Sequence, residues 1–203
     1  MSNWVKNNTF LTGEIIELLP LEKEHFDELE KISKDKRIWE FYVFDGTDSD
    51  KFLKALDNAL IEKEQGTQFP FVIFHKIDKK IIGSTRLMDI QLNHKKLEIG
   101  WTWLHPDYWA TEVNLECKLL LLSFCFEKLN TLRVQLKTDE NNLRSRKAIE
   151  KIGAKYEGIL RNDMLRDNGT NRNSAYYSII SNEWESVKNM LTKLYKNKKN
   201  FKI

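Results

Sequence analysis

Three groups of side chains in this 203-residue sequence are of types that do chemistry: four histidines, two cysteines, and a run of polar and aromatic residues between positions 80 and 166. His25, His75, His94 and His105 have no metal-ligand spacing and no cysteine partner, so no metal is expected. Cys117 and Cys125 stand eight residues apart in one apolar segment. On a helix that is about 12 Å, beyond the reach of a disulfide, and apolar surroundings leave a thiol inert. The patterns G-x-x-x-x-G-K-S/T, G-x-G-x-x-G and G-x-S-x-G are absent, which removes the usual signals of P-loop, dinucleotide-fold and hydrolase-elbow chemistry. What remains is the run itself. Among its carboxylates, Glu98 stands in an alternating stretch with Gly100 and Thr102, suited either to accepting a proton or to facing solvent.

Those residues need elements to position them. Glu14 to Leu19 reads as a strand, Leu21 to Ser33 and Asp48 to Glu64 as helices, with Asp48 or Ser49 as N-cap and Gly66 as terminator. Phe69 to Lys76, Ile81 to Leu92 and Leu97 to Leu104 form a meander. Val113 to Leu129 is apolar nearly all round, as a helix buried on more than one side would be. Arg133 to Thr138 is a strand, and Asn142 opens a helix that Gly153 ends. Ala154 to Leu165 and Asn173 to Ile180 make a last hairpin, before a helix near Asn182 that Glu185 can cap. The order β-α-α-β-β-β-α-β-α-β-β-α predicts an α/β (α+β) chain with a mixed, mostly antiparallel central sheet and helices on both faces. One domain over residues 1–203 is expected.

Composition narrows the class. Hydrophobic residues make up 41% of the chain, enough for a core, and eight Gly with three Pro exclude collagen-like or low-complexity architectures. The first residues lack a signal-peptide pattern, and Leu119 to Phe126 is too short to span a bilayer, so a cytoplasmic protein without membrane contact is expected. The formal charge of +3 gives no support for nucleic-acid binding. Its source is local: Lys188 to Ile203 holds six Lys and no acid, leaving 27 bases and 30 acids in the first 187 residues. The body is acidic, and a basic, frayed tail from about Lys188 is expected.

Taken together, Ile82-Gly83-Ser84-Thr85-Arg86, Leu97 to Trp109, Thr111, Asn114, Glu116, Lys118, Lys137 to Ser145, Glu150 to Ala154 and Glu157 to Arg161 resemble the GNAT N-acetyltransferase superfamily. The nearest likeness is to its ribosomal-protein alanine N-acetyltransferase branch. The resemblance implies a V-shaped splay between the strand ending at Leu104 and that starting at Arg133. An extended pantetheine arm would pair with free backbone groups at Trp103 and Leu104. It also implies that Trp109, Ala110, Thr111, Glu112, Val113 and Asn114 present a helix N-terminus to the coenzyme A diphosphate. Glu98 is then the candidate base, acting through water. Relatives often carry a Tyr where this chain has Ile149, so Ser145 becomes the candidate donor to the departing thiolate. Asn142 is expected both to cap its helix and to touch the cosubstrate. Glu112 stands where the superfamily's diphosphate loop has its first Gly, and its charge and bulk are expected to weaken acetyl-coenzyme A binding without abolishing it.

The implied function is acetyl-coenzyme A-dependent transfer to a primary amine, on a protein N-terminus or a small molecule, by direct attack. The alternative is a weakly active or inactive coenzyme A-binding or interaction protein on the same fold. Aromatics in Trp39 to Phe44 are candidates for the acceptor pocket, with Glu40 and Asp45 suited to a cationic amine. Trp4 and Phe10 could pack on the body or across a dimer; monomer and homodimer both stand open.

Overall fold

The computed structural model describes residues 4–200. Its strands are β1 (Leu11–Thr12), β2 (Ile16–Pro20), β3 (Phe69–His75), β4 (Lys80–Gln91), β5 (Lys96–Leu104), β6 (Arg133–Asp139), β7 (Lys155–Leu165) and β8 (Asn171–Ile180). The helices are α1 (Phe26–Ser33), α2 (Ser49–Gln65), α3 (Val113–Ser123), α4 (Leu143–Lys151) and α5 (Trp184–Asn200). All eight strands join one sheet in the order β1-β2-β3-β4-β5-β6-β8-β7. Every neighbouring pair is antiparallel except β5 and β6. The expected mixed, mostly antiparallel sheet is therefore present.

Helices cover both faces. Phe26 and Leu29 of α1 and Phe52 and Leu56 of α2 pack on one side, with Trp39 and Trp103. On the other side, Leu115 and Leu121 of α3, Ile149 of α4, and Val187 and Leu191 of α5 share a second core. Local signals explain the element ends. Asp48 accepts the Lys51 N–H at 3.2 Å, and Gly66 closes α2 at φ 74°, a left-handed conformation that glycine adopts without a Cβ clash. A π-turn at Phe124–Lys128 extends α3.

Three expectations change. The segment Leu21 to Ser33 opens with a 3-10 turn, Lys23–His25, and becomes α-helical only from Phe26. The last helix is entered through Ser181–Glu183, where Glu183 accepts the Ile180 N–H at 3.2 Å, rather than through an Asn182–Glu185 box. The Lys-rich end is a docked helix and not a frayed tail: Tyr195 is buried, Lys188 meets Glu127 at 2.7 Å and Lys199 meets Glu14. Lys202 lies outside the described residues. At the other terminus Val5 is buried and Trp4 packs against the α3 core, while Phe10 is exposed; Met1 to Asn3 lie outside the described residues.

One buried carboxylate ties these ends together. Glu116 of α3 accepts the N–H groups of Glu14 (2.6 Å), Ile15 (3.0 Å) and Ile16 (2.9 Å), and the Tyr195 hydroxyl (2.8 Å). Gly13 leaves room for it, since a Cβ there would lie 2.6 Å from Glu116 Cδ. Glu116→Ala strands several buried donors at once, at a cost of about 3 kcal/mol or more. Calorimetry should show Tm lower by roughly 6–12 °C, at about 2–4 °C per kcal/mol. Gly13→Ala should shift Tm in the same direction.

Candidate active site

β5 and β6 pair over only three rungs, Lys96 with Arg133, Leu97 with Val134 and Glu98 with Gln135. Beyond Glu98 the strands diverge, giving the expected splay. β5 continues along β4, but with a bulge: Ser84 faces Trp103 and Arg86 faces Gly100, so one β4 residue opposes two on β5. Trp101 takes φ 49° to make that bulge. It is held by Phe44, stacked at 5.4 Å, and by the Arg86 guanidinium, 3.7 Å from the ring centre.

The bulge corrects the expected free edge. The Trp103 carbonyl faces β4, so close that a Cβ at Gly83 would lie 2.1 Å from it. Groups of Thr102 and Leu104 face the splay instead. Their carbonyls are already engaged, Thr102 by the Tyr42 hydroxyl (3.2 Å) and Leu104 by the Trp109 indole N–H (2.9 Å). In an antiparallel strand the N–H of a residue points the same way as its C=O, so the donors aimed into the splay are those of Thr102 and Leu104.

A cavity of about 290 Å³ fills the splay, lined among others by Glu98, Trp103, Leu104, Trp109, Ala110, Asn114, Asn142 and Ser145. Thr111, Glu112 and Val113 are not among its lining residues. Glu98 is 4% exposed at the root of the V, which excludes the solvent-facing alternative. It accepts from Gln135 Nε2 at 2.8 Å, with Lys137 Nζ 3.7 Å away. Burial raises its pKa above the usual carboxylate value; Lys137 and Gln135 oppose that shift.

Asn142 caps α4 by accepting the Ser145 N–H at 2.9 Å. Ile149, one turn beyond Ser145, also lines the cavity. On the other wall, Trp109 is fixed by its bond to Leu104 and by Arg144, 3.7 Å from its ring centre. The left-handed residue of this loop is Ala110, at φ 57°, whereas Glu112 has φ −73° and starts α3. Its backbone therefore does not need glycine. Its side chain is buried, at 5% exposure, and the outward-turned alternative does not hold.

Sequence patterns missed several cavity residues. Lys118, one turn into α3 from Asn114, is 6% exposed, and its ammonium donates to Thr102 Oγ1 at 2.7 Å. Burial lowers its pKa. Its position four residues after Asn114 in a helix was the available signal. Trp101 and Arg172 also line the cavity. Of the segment Trp39 to Phe44, Trp39 is core and Phe41, Tyr42 and Val43 reach the cavity. Glu40 and Asp45 do not: they line a separate surface groove with Arg166 and Asp167. Both cysteines are buried and free, and burial pushes Cys117 up to about 11. Among the described residues no cluster could hold a metal, and no helix is long and apolar enough to cross a membrane.

A sequence model of the acetyltransferase (GNAT) domain matches residues 16–155. This chain belongs to the GNAT acetyltransferase family. "Putative ribosomal N-acetyltransferase YdaF" of Bacillus subtilis is 31% identical over 111 residues, 55% of this chain and 60% of that protein. A GCN5-related N-acetyltransferase from Brucella melitensis matches at TM-score 0.84 and 25% identity, over 94% of this chain and 86% of the other. Mycobacterium smegmatis RimJ, solved in complex with CoA-disulfide, matches at TM-score 0.79 and 17% identity over 92% and 95% of the two chains, a likeness of fold alone. Acyl transfer to an amine is the family's chemistry, and the expected likeness to its ribosomal branch agrees with the name of the Bacillus subtilis relative.

The two buried charges make opposite demands on pH. Between 4.5 and the raised value of Glu98, the folded protein holds a proton that the unfolded chain has released, so stability falls as pH rises through that window. Glu98→Gln removes this loss. Its Tm should exceed the parent's at pH 7–8, and the difference should shrink on acidification to pH 4. Lys118→Met removes a buried ammonium and should raise Tm at pH 7 by about 2–4 °C for each kcal/mol recovered. Thermal melts across pH test both.

Proposed function

We propose that this GNAT protein transfers an acetyl group from acetyl-coenzyme A to a primary amine, with Glu98 as base. The observation that carries this reading is the β5 edge opened beyond Glu98, with Thr102 and Leu104 donors facing a cavity that has a buried carboxylate at its root. Acetyl-coenzyme A supplies the activated acyl carbon, and the new C–N bond forms as the C–S bond breaks.

The residues divide the work by position. Thr102 and Leu104 would pair with the pantetheine amides as an added strand does, with Trp103 packed beneath. The loop Trp109, Ala110, Thr111, Glu112, Val113 and Asn114 would place the N-terminus of α3 at the diphosphate. Glu98, directly or through water, would take the proton the amine sheds. Ser145, positioned by the Asn142 cap, would donate to the leaving thiolate, a task Ile149 cannot perform. The name of the YdaF relative favours a protein amino group as acceptor.

Thiol release from acetyl-coenzyme A across a panel of amines tests the proposal. Glu98→Gln should lower kcat by roughly 100-fold or more. In the parent, kcat/KM should rise with pH through the raised Glu98 value as the carboxylate forms. Coenzyme A binding with no turnover on any amine would instead favour a non-catalytic binder. Glu112 competes with the diphosphate for the positive end of α3. Glu112→Gln keeps its shape and removes its charge, and should tighten coenzyme A binding by about two- to fivefold in calorimetry, as expected from ~0.3–1 kcal/mol.

A further inference from the structure

Arg172 of β8 is 9% exposed and lines the splay cavity, yet its guanidinium makes no hydrogen bond among the described residues. Its nearest carboxylate oxygen is Asp139 Oδ2, 4.0 Å from Nε and so beyond hydrogen-bond distance. Asp139 is already satisfied by Arg166 and by the Asn141 N–H at 2.9 Å. A guanidinium has five donors, and a buried one that makes no hydrogen bond is costly unless something else engages them. Burial lowers its pKa and Asp139 opposes this, from an ordinary value high enough to keep arginine charged in proteins.

The sheet register shows which side of the splay Arg172 serves. Glu98 pairs with Gln135, Gln135 with Ser178, Lys137 with Tyr176 and Asp139 with Ser174. Alternate residues of β8 share a face, so Arg172 lies on the same face as Ser174, Tyr176, Lys137 and Glu98. The pantetheine-facing helix α3 lies on the opposite side, where Leu97, Ile99 and Leu136 join its core. Tyr42 and Met164, the latter the register partner of Arg172, line the same cavity. That face thus holds the buried Glu98 carboxylate at its root and, further out, a guanidinium with no hydrogen bond among the described residues.

We propose that Arg172 anchors a carboxylate of the acceptor, and that the acceptor is a peptide amino terminus followed closely by an acidic residue. This rests on the transfer reading above. The rung of Glu98 meets β8 at Ser178, six residues or about 20 Å of strand from Arg172, and β5 lies two strands, roughly 10 Å, to the side of β8. Two inward-reaching side chains shorten that span, and what is left suits a carboxylate one or two residues beyond the amine better than one on the same carbon. A free amino acid, with both groups on one carbon, is the competing source of the same chemistry.

The test uses matched acceptors on the full chain. Parent, Arg172→Met and Arg172→Lys are assayed with Ala-Asp-Ala-amide against Ala-Asn-Ala-amide, and with alanine against alaninamide. Each preference is a ratio within one protein, so partial loss of folded enzyme cancels. The parent should favour the Asp peptide in kcat/KM by roughly 10- to 100-fold, the range expected of a charged hydrogen bond. Arg172→Met should bring that ratio to within about twofold of one, and Arg172→Lys should fall between. An Asp preference absent in the parent, or unchanged in Arg172→Met, overturns the anchor. An Arg172-dependent preference seen only for alanine over alaninamide keeps the anchor and overturns the peptide source. If no amine is turned over, the transfer reading fails by itself, and calorimetry still decides the anchor. With coenzyme A present, N-acetylated Ala-Asp-Ala-amide should bind the parent more tightly than its Asn counterpart, and Arg172→Met should bind both alike. Equal binding in the parent overturns the proposal.

Discussion

The cleft exists because two antiparallel ladders compete for the one parallel junction in the sheet. β6 is paired with β8 along its whole length, from Arg133 with Ile180 to Asp139 with Ser174. β5 is committed to β4 through Leu104 opposite Gly83. Each ladder keeps its own twist, and only three rungs join them before they separate. The bulge at Trp101 then turns the Thr102 and Leu104 backbone toward the gap, and Gly83 permits the close approach of Trp103 that anchors the turn. An edge of this kind would invite a stray strand. Here Tyr42 and Trp109 occupy its carbonyls and leave donors facing the cavity.

How much of this could be read from the sequence follows from the range of each interaction. Caps, turns and apolar periodicity are local, so the positions of α2, α4 and the β3 to β5 meander were legible from Asp48, Gly66, Asn142 and the alternation of apolar residues. The splay was legible only through family resemblance, because it depends on register between β5 and a strand more than thirty residues later. The reversal at Trp103 was not legible: a single left-handed residue shifts the alternation, and nothing about a tryptophan announces φ 49°. Lys118 stands out in sequence only by its place four residues after Asn114 in an apolar helix, and Arg172 looks like an ordinary surface cation. Their burial comes from packing against Thr102 in one case and along β8 in the other.

Charged side chains gather on the face of the sheet that carries Glu98. Glu98 is flanked by Lys137, which also approaches Asp163 at 3.9 Å, and Tyr176 donates to Asp163 at 3.0 Å. This network moderates the cost of burying Glu98 without neutralising it. A carboxylate fully paired with an arginine would be a poor base, since its pKa would be driven down. One held by an amide and a more distant ammonium keeps a raised pKa and stays within reach of a proton. Arg172 has Asp139 at 4.0 Å and no hydrogen bond among the described residues, which separates it from Arg133, whose guanidinium is taken by Glu157 at 2.5 Å.

The basic C-terminal segment bears on the cleft through α3 rather than through its own charge. Glu116 binds the start of β2 and the Tyr195 hydroxyl of α5 to the first turn of α3, two residues beyond Asn114. The N-terminal end of α3 is therefore held by residues near both ends of the described chain. A helix N-terminus attracts an anion only where its N–H groups point in a fixed direction. Of the α5 lysines, Lys188 pairs with Glu127 and Lys199 with Glu14. Their positive charge is spent on docking α5, and the orientation of α3 is what reaches the cleft.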